Sequence, residues 1–409
     1  MVFFLAFLMG VISSQKINIF GEVFIGELIC AVVLLFNMKA IRLPVGGKPI
    51  LVLLLIWFVA QLVSDFFNQT EFIKAVKGIL VPAFVAIILL GLTTAFHRYY
   101  RFLPLYLLGV FIGLWLSLAN GNEYYTQNPW KWGLGTTVAL CFFTWIEFYC
   151  KRYRAAYLLA GSAIFVVICL ANSSRSMAAF MLLASILAVL SRQIELSPLY
   201  KRFSTSPSGI FQFFCIVLVA VFFIDRLMVV LFTFDPFLNL LPPLDAFKYS
   251  VQAESKWGMI LGGRTELFVS LEAFFDAPFF GHGSWSENPY YVYARLDYMD
   301  SAGGLLQEIA VAEKNVRSYL IPTHSYLMGS IVWGGFFAGL FWLKVMGITF
   351  SGFLNGQVIR SPLLLYIIIS LIWNIIFSPF GADARWLSTV LLWVYMMSSN
   401  SAMYKETFK

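Results

Sequence analysis

Apolar runs long enough to cross a bilayer recur along almost the whole chain, and one long polar stretch interrupts them. A helix needs about 20 apolar residues to cross, with about 17–25 tolerated. Twelve runs approach that length, near 1–13, 20–37, 49–64, 75–96, 102–118, 133–149, 155–171, 176–191, 209–230, 325–347, 362–378 and 385–399. The first is short. No basic segment and no clear small-residue cleavage site accompany Met1 to Ser13, so it reads as a first span rather than a cleaved leader. No period of about 20–50 residues marks an internal repeat. The expectation is an all-α polytopic membrane protein with about twelve transmembrane helices. One large loop separates the ninth from the tenth, which divides the chain into 1–231, 232–323 and 324–409. Composition agrees: 60% of residues are hydrophobic and 12% charged, where a soluble domain carries about a quarter charged.

The net charge of +7 is no argument for nucleic acid here, because basic residues in such a chain first serve topology and lipid headgroups. Lys39, Arg42 and Lys48 fall in one connection, Arg98 and Arg101 in the next but one. Lys151, Arg152 and Arg154 follow, then Arg192, Lys201 and Arg202, then Lys344 and Arg360, and finally Lys405 and Lys409. All lie on one side if the N-terminus is inside. The long loop, with most of the Asp and Glu, is then external, which in a bacterial inner membrane is the periplasmic face. The five cysteines fall in or beside apolar runs, and the long loop has none. No disulfide framework and no metal-binding cluster can be read from them. Within the loop, Ser270 to Phe280 reads as a helix end broken by Pro278, with Gly281 and Gly283 in a turn. Leu305 to Val316 reads as an amphipathic helix.

Ionisable groups at the rim of a span are costly and are the first functional candidates. Lys74 and Lys77, three residues apart, share a helix face and suit either headgroups or a ligand. Arg175, in Asn172-Ser173-Ser174-Arg175-Ser176, opens a helix, where the dipole disfavours a cation, so it should compensate something anionic. Arg385 lies in the last external turn with Asp383 as its simplest partner. Arg264 follows two glycines, His324 marks the return to the membrane, and His282 between glycines reads as a turn residue.

Four stretches resemble the superfamily of O-antigen ligases and O-antigen polymerases, which also contains bacterial protein O-oligosaccharyltransferases. They are Ser173–Ser176; Gly263-Arg264-Thr265-Glu266-Leu267-Phe268; Asp276-Ala277-Pro278-Phe279-Phe280-Gly281-His282-Gly283; and Thr323-His324-Ser325-Tyr326-Leu327 running on to Gly339. The Asn that follows the histidine in that family is Ser325 here. The resemblance covers roughly residues 165–350. It implies a fold like that of the C-type glycosyltransferases and transfer of a glycan from undecaprenyl diphosphate to an acceptor hydroxyl. Transfer would be metal-independent, need no cofactor, and invert the anomeric carbon. It assigns diphosphate binding to Arg175 and Arg264, and acceptor activation to His324. Lys74, Lys77 and Arg385 are further candidates for the diphosphate, and Ser325, Tyr326 and His282 for support. Arg binds phosphate oxygens with a planar fork, and His is a base near neutral pH.

The acceptor would be another lipid-linked glycan in a polymerase, with a chain-length regulator as a possible partner, or the lipid A–core in a ligase. Polymerase is the preferred reading. A lipid-linked oligosaccharide flippase is the competing class, and a ligand-binding sensor a third. A flippase should carry charge along a central cavity, whereas charge here gathers on one external face.

Overall fold

The computed structural model describes residues 2–18, 21–44, 46–118, 128–150, 155–193, 207–239, 246, 249–250, 252–253, 255–262, 264–301 and 319–399. Gly263, the expected helix 305–316 and the basic residues near 151–154, 201–202 and 405–409 lie outside them.

Helices fall on every expected span. In chain order they are α1 (Val2–Ser13), α2 (Ile25–Phe36), α3 (Gly47–Phe67), α4 (Phe72–Phe96), α5 (Leu103–Leu118), α6 (Gly135–Tyr149), α7 (Ala155–Ala171), α8 (Arg175–Gln193) and α9 (Pro207–Phe232). The loop contributes α10 (Glu266–Asp276) and α11 (Pro289–Ser301), and the C-terminal third α12 (Tyr326–Gly334), α13 (Phe336–Phe353), α14 (Pro362–Phe377) and α15 (Ala382–Ser398). Among the described residues, five helical segments are long and apolar enough to cross a membrane: Gly47–Phe67, Phe72–Phe96, Tyr100–Leu118, Arg175–Arg192 and Phe336–Phe353. Shorter apolar helices occupy Phe3–Ser13, Ile25–Phe36, Ala155–Ala171 and Pro362–Phe377. The protein is a largely α-helical membrane protein.

Where the helices pack follows from their surfaces. Along α3, Val52, Leu55, Val59, Leu62 and Phe66 are exposed, and their three- and four-residue spacing makes one stripe turned away from the bundle. Leu54, Trp57, Gln61 and Ser64 line the opposite, buried side. By contrast, α15 is buried over most of its length, and an apolar helix buried all round belongs at the centre. Trp386 and Trp393 are its largest buried side chains. Helix α5 meets α1 through Gly109 and Gly113, set against Phe7, Gly10 and Val11. Small residues four apart let helix backbones approach closely where the surrounding lipid provides no hydrophobic drive. A two-stranded hairpin, β1 (Lys16–Asn18) with β2 (Glu22–Phe24), joins α1 to α2, with Lys16 opposite Phe24.

The expected single span over 325–347 is two helices. Gly335 breaks it with φ +75° and ψ −179°. Beyond the break the chain folds back, so that Tyr326 packs on Trp342 with ring centroids 5.1 Å apart, and Gly339 faces Ile331 and Leu327. The apex is packed from outside. Phe336 N donates to Pro278 O at 2.8 Å, His282 N to Val332 O at 2.8 Å and Gly283 N to Trp333 O at 3.1 Å. A side chain on Gly335 would collide with the Phe279 carbonyl. The end of α3 grips the same turn from the other side. Ser64 Oγ donates to Trp333 O at 2.6 Å, and the buried Asp65 carboxylate accepts from Ser284 N at 2.6 Å and Ser284 Oγ at 2.8 Å.

Candidate functional site

His324 is held by what surrounds the chain on either side of it. The stretch before it runs extended: Asn288 N donates to Tyr319 O at 2.7 Å and Ile321 N to Ser286 O at 3.1 Å. Ser270 Oγ, on α10, donates to Pro322 O at 2.9 Å. Just after it, Ser325 is the N-cap of α12; its Oγ accepts from Met328 N at 3.0 Å and donates to Ile375 O at 2.7 Å. The histidine is therefore fixed at the seam between the loop helix α10 and the ends of α12 and α14. Pro322 disfavours helix in the residue before it, and Ser is a favoured cap, so the local sequence sets this entry.

Arg264 reaches the same seam from the start of α10. Its N–H donates to Leu261 O at 2.8 Å and its carbonyl accepts from Leu267 N at 3.0 Å. Glu266, in the first turn of α10 and buried, pairs with Arg295 of α11 at 2.7 Å. An acid in the first turn also suits the helix dipole. Burial pushes the His324 pKa down from its ordinary value; the Glu266 carboxylate opposes this, and the charges of Arg264, Arg295 and Lys131 add to it. Burial likewise lowers the Arg264 pKa, with Glu266 opposing, yet a guanidinium keeps its proton in proteins. The partly buried His324 imidazole thus feels three cations and one anion, and burial with the net positive field favours its neutral form.

Lys131 enters this group from a wide helical turn at Trp130–Leu134, a kind of irregularity frequent at functional sites. Its N–H donates to Asn128 Oδ1 at 2.9 Å. Asn128 Nδ2 donates to Asn172 O at 3.0 Å and Trp130 Nε1 to Cys169 Sγ at 3.2 Å, so this turn is tied to the one that presents Arg175. Arg175 itself, at the first position of α8, lies flat on the Tyr249 ring, 3.4 Å from its centroid, with Phe232 at 5.6 Å. Its guanidinium donates to Gln252 Oε1 at 3.3 Å. Arg264, at the start of α10, and His324, held to α10 through Pro322 and Ser270, lie at the same element, whereas Arg175 is engaged with Tyr249 and Gln252.

The other expected residues lie apart from this group. Lys74 pairs with Glu287 at 2.8 Å on the surface, and the Lys77 stem runs past Gly21. Arg385 does not pair with Asp383. It makes a two-pronged bond to the buried Glu27, Nε to Oε1 at 2.7 Å and a terminal nitrogen to Oε2 at 2.9 Å, and donates to Glu22 O at 3.1 Å. Lys16 takes Asp383 instead, at 2.7 Å. The reason is the β1–β2 hairpin, which sets Glu27 and Lys16 against the start of α15. His282 is a turn residue between Gly281 (φ +65°) and Gly283, with Nε2 2.7 Å from Ala273 O. Tyr326 is buried against Trp342 and Phe380 and belongs to the core.

Three members of the charged group, Glu266, Arg295 and Lys131, are absent from the sequence-based set. Glu266 stood in a quoted motif and Lys131 opens a span between two tryptophans, so both carried a signal. Arg295 carried none. No protein-family profile, curated protein or solved structure matches the chain, so the site rests on its own geometry.

Proposed function

We propose that this protein transfers a glycan from a lipid diphosphate to an acceptor sugar hydroxyl at the external surface of a bacterial inner membrane, with polymerisation of lipid-linked repeats as the preferred reaction. The observation that carries the reading is the seat of His324, held beside α10 through Ser270 and Pro322 and beside α14 through Ser325 and Ile375, with the Glu266–Arg295 pair joining the same helix α10 to α11. In the proposed step, His324 takes the proton from the acceptor hydroxyl as its oxygen attacks the anomeric carbon. The bond from that carbon to the diphosphate oxygen breaks, and its electron pair leaves with the diphosphate. Arg264, Lys131 and Arg295 stabilise the charge that develops there, a kind of contribution that is usually the largest in catalysis. Glu266 holds Arg295 and moderates the positive field at the imidazole. The twelve-span topology and the external placement of the loop belong to the same proposal, supported by the basic connections on the opposite side.

The test uses purified protein in lipid vesicles with an undecaprenyl-diphosphate-linked repeat unit, followed by mass spectrometry of the products. Lengthened glycans, lost in both Arg264→Ala and His324→Ala, are the expected result. Movement of the lipid-linked unit between leaflets without any lengthening would overturn the reading in favour of a flippase.

A further inference from the structure

The loop turn at Pro278–Gly281 carries two phenylalanines on its outside, Phe279 at 65% and Phe280 at 49% exposure. Large apolar side chains on a water-facing loop are costly unless something covers them. Phe280 lies 4.8 Å from the Phe67 ring, centroid to centroid, and Phe67 lies 5.9 Å from Phe66. Phe66 ends the exposed apolar stripe of α3, so the loop turn continues a surface that already faces lipid. On its other flank the turn bonds to the first residue of α13, where Phe336 and Phe337 are also exposed. The aromatic patch therefore sits where two membrane-crossing helices end, and its segments Phe66–Gln69, Pro278–Gly281 and Gly335–Gly339 contain no charged residue.

We infer that the Pro278–Gly281 turn is inserted into the bilayer, with Phe279 and Phe280 among lipid acyl chains of the external leaflet. The occupant of the patch is the membrane lipid itself, because the patch is continuous with the apolar stripe exposed along α3 and is built of six exposed phenylalanines, Phe66, Phe67, Phe279, Phe280, Phe336 and Phe337. Phenylalanine at this level suits the apolar side of the interface. A loop that hydropathy alone assigns to water would thus be anchored in the membrane at its middle. Through the Gly335 turn, that anchor holds α12, the helix that begins just after His324.

The full-length protein in lipid nanodiscs gives the test, by hydroxyl-radical footprinting of the unaltered chain. Tyr293, on α11, is 54% exposed, a fraction similar to the 49% of Phe280, so equal access to water predicts comparable oxidation. At least tenfold less oxidation of Phe279 and Phe280 than of Tyr293, a margin wider than the difference in ring reactivity, is the expected result. Oxidation within threefold of Tyr293 would overturn the insertion. A second measurement replaces Phe280 with p-benzoylphenylalanine and illuminates membranes. Lipid adducts should form in yields near those of the same probe at Phe66 and at least tenfold above those at Tyr293. Adducts no more frequent than at Tyr293 would refute it.

Discussion

In the proposed reaction a single histidine, His324, acts as the base, and its surroundings set how it should respond to pH. Burial and the three cations hold the His324 pKa below its ordinary 6.5, so the imidazole stays neutral as pH falls through that value. Transfer by the wild-type protein should hold at pH 6.5 and decline only at more acidic pH, as read from initial rates across a pH series. A midpoint above 6.5 would contradict the burial argument. Glu266→Gln removes the one group that raises this pKa, so the midpoint should move further into acid. Stability has the same sign: the unfolded histidine gains its proton first, so the contribution of His324 is intact above 6.5 and is lost as pH falls toward the lowered folded value. His324→Ala should cost about 10²–10⁴-fold in turnover while donor binding persists. Arg264→Lys should recover little, because a point charge does not reproduce the fork. If it restores full activity, simple attraction of an anion is the better account.

At the level of elements, the Gly335 break does what hydropathy could not announce. Residues 325–347 are apolar throughout, and nothing in an unbroken apolar run says that it folds back on itself. The sign was there in Trp333-Gly334-Gly335-Phe336, but two glycines in a membrane helix are common and serve packing as often as turning. Helix positions were legible because hydropathy is a local property. The partner of Arg385 was not, because Glu27 is distant in sequence and comes to it only through the β1–β2 hairpin. Likewise Arg264 and His324 could be singled out from motif and position, while Arg295 could not, since its value lies entirely in where α11 places it against Glu266. Gly335→Ala adds a Cβ at positive φ against the Phe279 carbonyl, and misfit of this kind costs more than about 1 kcal/mol. Lower thermal stability in detergent, with reduced transfer, is the expected outcome. Ser325→Ala loses the cap of α12, worth about 1 kcal/mol, and also leaves the Ile375 carbonyl without its hydroxyl donor; Ser325→Thr should retain most of both.

For the whole molecule, the buried Glu27–Arg385 bond ties the first and last parts of the chain, flanked by the Lys16–Asp383 bridge. Removing one partner of such a pair strands a buried charge at a cost of about 3–5 kcal/mol. Arg385→Ala should therefore reduce the amount of folded protein in membranes, and Glu27→Gln in the same chain should restore part of it. A diphosphate-binding role for Arg385 predicts instead normal folding with lost activity, so protein level and turnover measured together separate the two. Orientation is tested by reporters active only outside the cytoplasm: a fusion at Ser286 should be active and one at Ser204 silent. The bond from Ser325 to Ile375 has a meaning for biosynthesis. Every charged residue of the proposed site is made well before α14, yet the capped start of α12 gains its tie to α14 only when the carbonyl of residue 375 arrives. A nascent chain halted at about residue 360 would hold the complete set of reactive side chains without the bond that anchors the start of α12 to α14. Activity would be switched on late, by the arrival of a helix that contributes no reactive group.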